Sequence, residues 1–93
     1  MNRKEILDAA VQAVTVDRAA TYGGAEKSFE LIADYWSAHL GTPVSATEVA
    51  VMMGLLKIAR IKSSPAHADN WVDLAGYAAC GGELADGKKG GTE

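Results

Sequence analysis

Ninety-three residues fit one small domain, of a size whose core covers only part of its surface and whose burial a partner or second copy commonly completes. The hydrophobic fraction of 48% argues against disorder, and nine basic against twelve acidic residues (net charge −3) leave no basic stripe for duplex nucleic acid. The one cysteine, Cys80, has no intrachain disulfide partner, and between Ala79 and Gly81 it reads as a small residue packed between helices.

The first predicted helix runs from about Arg3 to Val16. Asn2 and Glu5 stand in capping-box spacing, and Ile6, Leu7, Ala10, Val11 and Val14 recur at helical steps to form one apolar face. The next stretch, Asp17 to Gly24, is a linker closed by paired glycines. It carries Arg18 and Tyr22, a guanidinium and an aromatic ring that together suit a phosphate or a base; an ordinary turn anchored by Tyr22 uses the same residues.

A second helix covers roughly Ala25 to His39. Phe29, Ile32, Ala33, Trp36 and Leu40 line its apolar side, and Gly41-Thr42-Pro43 stops it. The third has a clear start, Ser45-Ala46-Thr47-Glu48, a second capping box, and continues to about Ile61. From Val49 to Leu56 every residue is apolar or glycine. A helix without a polar face has to be covered all round, and a domain this small lacks enough neighbours to do it, so a homo-oligomer is expected. The same run is far too short to span a bilayer.

Ser63-Ser64-Pro65-Ala66 breaks the chain before a fourth helix, about Asp69 to Leu84, rich in glycine and alanine and so suited to close helix contact. Trp71, Leu74, Ala75 and Ala78 share one side of it, and Asp73, Tyr77 and Cys80 another. His39 and His67 fall near helix ends as solvated or capping residues. The expected architecture is all-α: one small four-helix domain over residues 1–85, an oligomeric helical bundle, with a flexible tail over residues 86–93. With no signal-like apolar stretch after Met1, the protein is expected in the cytoplasm, off the membrane.

Catalytic signatures with fixed spacing are absent, which leaves one polar grouping. The short connection sets helices three and four antiparallel, so Lys57 and Arg60 meet Asp69 and Asp73 near the turn. These residues support two readings. In one, an ion pair from Lys57 or Arg60 to Asp73 fixes helix register. In the other, Asp69 and Asp73 share a Mg²⁺ ion that holds a nucleotide triphosphate, Lys57 or Arg60 neutralises phosphate charge, and Asp73 serves the catalysis. Glu48 is a third metal-ligand candidate; it lies at the far end of its helix and reaches Asp73 only across an oligomer interface.

The segments Arg18…Tyr22-Gly23, Phe29…Ile32-Ala33…Trp36, Glu48-Val49-Ala50…Met53…Leu56-Lys57-Ile58-Ala59-Arg60 and His67…Asp69-Asn70-Trp71-Val72-Asp73-Leu74-Ala75-Gly76-Tyr77 resemble a family of small tailed-phage and prophage proteins. That resemblance implies work inside a host cell. More distantly, the layout is similar to the all-α nucleoside triphosphate pyrophosphohydrolases of the MazG type, oligomeric bundles with a Mg²⁺ site between two acidic pairs. Here Asn70-Trp71-Val72-Asp73 stands at the second pair, with Asn70 in place of an acid. The first pair is reduced to Glu48, because Val51 and Met52 are apolar. Two functions follow: a divergent Mg²⁺-dependent pyrophosphohydrolase, or a non-enzymatic phage protein that binds and inhibits a host enzyme or defence complex.

Overall fold

In the computed structural model, which describes residues 1–17 and 25–87, the chain is all helical: α1 (Arg3–Gln12), a π-helical extension (Ala13–Asp17), α2 (Ala25–Leu40), α3 (Ala46–Ser63) and α4 (Ala68–Asp86). Arg18, Tyr22 and residues 88–93 of the expected tail lie outside the described residues. Both predicted capping boxes form. Asn2 Oδ1 accepts from the Glu5 N–H at 2.8 Å while the Asn2 N–H donates to Glu5 Oε1 at 2.9 Å. Ser45 and Glu48 exchange the same two bonds at 3.1 and 2.9 Å, so each helix start satisfies two otherwise unpaired donors.

The first helix departs from expectation at Ala13, where α geometry widens to π. The local sequence Val14-Thr15-Val16 is β-branched throughout, and the Thr15 hydroxyl donates to the Val11 carbonyl at 2.6 Å. Such back-bonding competes with the regular ladder and loosens a turn. At the end of α2, Gly41 takes φ +71°, a conformation that favours glycine, and its N–H caps the Ser37 carbonyl at 2.9 Å. The Ser37 hydroxyl also accepts from the Val44 N–H at 2.8 Å, which ties down the approach to α3.

The core gathers Phe29 and Ala33 from α2, Val49 and Ala50 from α3, and Cys80 from α4, with Val14, Ile32, Trp36, Val44, Met53, Tyr77 and Leu84 packed around them. Phe29 and Val49 are fully enclosed. Cys80 is buried, as its small neighbours suggest. The buried stripe of α4 is Val72, Gly76 and Cys80, at steps of four; Trp71 and Ala78 face outward, and the Trp71 indole N–H donates to the Pro65 carbonyl at 2.8 Å. Of the expected α1 face, Ala10 is buried and Ile6 and Val14 partly so, while Leu7 and Val11 stay exposed. Leu40 stays exposed on α2.

Two glycines set how closely α3 and α4 approach. A methyl group on Gly81 would stand 3.1 Å from Ala50 Cβ, whereas one on Gly54 would meet Leu74 Cδ1 at an ordinary 3.5 Å. Gly54→Ala should therefore raise stability by about 0.5–1 kcal/mol through helix propensity, while Gly81→Leu should lower it by about 1–3 kcal/mol through overpacking; urea unfolding of both variants checks the ordering.

Candidate functional site

Three features of the α3–α4 hairpin concentrate whatever chemistry the described residues offer. The first is an ion pair midway along it, Lys57 Nζ to Asp73 Oδ2 at 2.9 Å. Lys57 is largely enclosed, with 12% of its side chain exposed, while Asp73 keeps 42%. Asp73 also borders a small cavity of about 60 Å³ walled by Phe29, Gly76 and Tyr77. The two rings lie 6.1 Å apart and tilted by 35°, so this wall is packed aromatic surface. The register-fixing ion pair is thus present, made by Lys57. Arg60 makes no ion pair among the described residues.

The second feature lies at the turn. Ala59, Arg60, Ser63 and Ser64 from the end of α3, with His67 and Asn70 from the start of α4, line an open cleft of about 600 Å³. Asn70 is buried, yet its carboxamide makes no hydrogen bond among the described residues. His67 is the N-cap of α4 and puts no side chain on the first-turn N–H groups. Asp69 projects into solvent, with its carboxylate 3.9 Å from His67 Nε2. The sequence marks Asn70 as standing in place of an acid and His67 as a solvated or capping residue. The turn brings both to the cleft that Arg60 also lines.

The third feature is an apolar groove of about 440 Å³ between the two helices, where Thr47, Val51, Leu55 and Ile58 of α3 flank Ala78, Gly81 and Ala85 of α4. Val51, Leu55 and Ile58 are each at least half exposed, and Met52 and Leu56 extend the bare surface around α3.

The metal-ligand candidates do not gather within one chain. Glu48 is engaged in its capping box, and it lies about two and a half turns before Lys57, which puts the two on opposite sides of α3. Asp69 and Asp73 share helix α4, but Asp73 turns to Lys57 and Asp69 to solvent. Among the described residues no three His, Cys, Asp or Glu side chains cluster as a metal site, and no helix is long and apolar enough to cross a membrane.

Residues 5–85 match the family described as "Domain of unknown function (DUF6378)". The chain belongs to this family. It is 45% identical over 74 residues to the gene 55 protein of Mycobacterium phage L5, an alignment covering 78% of this chain and 47% of that protein. It is 38% identical over 77 residues to the gene 55 protein of Mycobacterium phage D29, covering 83% and 51%. The chain therefore spans about half the length of these curated relatives, and the family has phage-encoded members. No solved structure matches.

The Lys57–Asp73 pair is asymmetric in burial, and its two halves should respond differently to removal. Asp73→Ala leaves an enclosed cation unpaired and should cost about 2–3 kcal/mol, whereas Lys57→Met removes the charge and keeps the stem volume and should cost no more than about 1 kcal/mol. A double-mutant cycle by urea unfolding measures the coupling.

Proposed function

We propose that the chain is a non-enzymatic protein-binding module of phage type, acting through the bare apolar face of α3. The observation that carries this is the exposure of Val51, Leu55 and Ile58 beside an open groove, in a protein too small to leave such surface idle. The first occupant of that face is a second copy of the chain, which gives a homo-oligomer. The helical surface of the assembled form is then what meets a host enzyme or defence complex. Groove walls of alanine and glycine suit a helix, since small residues let another backbone approach closely. Covering each half-exposed side chain adds roughly 1 kcal/mol, and a twofold axis repeats each contribution. The phage relatives, whose length the alignments cover only by about half, are consistent with a module that works inside larger proteins as well.

A second reading is a Mg²⁺-dependent nucleoside triphosphate pyrophosphohydrolase. Its support is Asp73, a carboxylate held beside a cation at the rim of an aromatic-walled cavity. In that case Mg²⁺ would be held by Asp73 and Asp69 with Glu48 from another copy, and Arg60 would face the phosphates. Arg18 and Tyr22 of the linker would then take the base or the sugar. Pyrophosphate release from nucleoside triphosphates with Mg²⁺, lost in Asp73→Asn, would establish this reading in place of the first.

Light scattering on the purified chain should give a mass of two or more copies at micromolar concentration. Leu55→Lys should weaken the association about tenfold or more at unchanged helicity. A wild-type protein that runs as a monomer at that concentration removes the basis of the binding-module reading.

A further inference from the structure

We infer that the cleft at the α3–α4 turn is a binding site for a phosphate group, either free or carried by a small ligand as a phosphomonoester. It is separate from the apolar groove and stands whether or not that surface self-associates. The strongest observation is Asn70. A buried carboxamide has two donors and an acceptor to satisfy, and leaving them unmet is costly enough that such groups are rare in native proteins. Asn70 is 7% exposed, makes no side-chain hydrogen bond among the described residues and lines the cleft.

The rest of the lining has matching chemistry. Arg60, without an ion-pair partner among the described residues, presents a planar fork of donors suited to phosphate oxygens. Ser63 and Ser64 add hydroxyls, and His67 adds an imidazole that donates from either nitrogen. His67 and Asn70 also flank the first turn of α4, a nineteen-residue helix whose N-terminal N–H groups carry no side-chain cap. A helix start of this kind favours an anion, and here it coincides with an arginine and an unsatisfied amide. Two groups oppose binding. The last carbonyls of α3 end near the cleft, and Asp69 stands beside His67, 82% exposed. Asp69 therefore tunes affinity downward.

The test is a titration of the isotope-labelled full chain with inorganic phosphate, at ionic strength held constant with chloride and followed by amide NMR. Saturable shifts should concentrate on Ser64, His67, Ala68 and the Asn70 side-chain amide. Arg60→Gln, at an exposed position, should weaken binding about tenfold or more, the scale of one charge-assisted contact, and Asp69→Asn should strengthen it. Asn70→Leu should melt at a higher temperature than wild type and yet lose binding, because the buried amide serves the ligand and not the fold. A parallel titration with a nucleoside monophosphate separates the sources: tighter binding than inorganic phosphate identifies a carried group, and equal binding identifies the free ion. Shifts that match those from chloride, that fall elsewhere on the protein, or that persist unchanged in Arg60→Gln overturn the inference.

Discussion

The rest of the structure depends on the close approach of α3 and α4. That approach is made of small residues, with Gly81 against Ala50 and Gly54 against Leu74, while Gly76 lets α4 close on Val14 of the π-helical extension. Each of these glycines weakens its helix in isolation, and the repayment comes as contact between helices that larger side chains would hold apart. The Lys57–Asp73 bond then works as a register pin, since sliding either helix by one turn would leave an enclosed ammonium without its carboxylate. The ion pair, the polar cleft and the apolar groove all lie along this one hairpin.

The same smallness explains the groove. Ala50, Gly54, Gly81, Gly82 and Ala85 bring the backbones together and leave no side chains to fill the trough above them. A methyl group on Gly82 would meet nothing within 4 Å. With α2 on one flank of α3 and α4 on another, the third flank keeps Val51, Met52, Leu55, Leu56 and Ile58 toward solvent. Surface-to-volume scaling makes this a general difficulty for a chain of this length: each helix can bury one stripe, and a helix that is apolar all round needs a neighbour the chain does not supply.

Most of the fold was legible in the sequence because its punctuation is chemical. Asn2/Glu5 and Ser45/Glu48 announce helix starts through side chains that can cap nothing else, and Gly41 and Pro65 end helices by backbone geometry alone. The antiparallel meeting of Lys57 with Asp73 followed from the short turn. Less legible was which stripe of each helix faces inward. Leu7, Val11 and Leu40 look like core residues by periodicity, yet they stay exposed because the helices they belong to meet too few neighbours to cover a wide face. The change to π geometry at Ala13 arose from a hydroxyl competing for a carbonyl, a contest that hydrophobic pattern does not register. At the site, the sequence places Arg60 and Asn70 on adjacent helices but does not tell that Asn70 is enclosed without a side-chain hydrogen bond among the described residues, because burial is a property of the assembled turn.

The hairpin divides its length between two kinds of surface. The apolar groove takes its α3 wall from Thr47, Val51, Leu55 and Ile58, and the polar cleft begins at Ala59 and Arg60 and closes across the turn at His67 and Asn70. Asn70 belongs to the second group, although its position on α4 could have been filled by an apolar residue at a gain in stability. It is enclosed at the edge of a cleft that Arg60 also lines and beside an uncapped helix start, whereas a residue chosen for packing alone would complete the core. Because the groove ends before the turn begins, a second copy seated on Val51, Leu55 and Ile58 need not cover Arg60 or His67. Association and anion binding would therefore not compete for one hairpin, since each draws on different residues of the same closely packed pair.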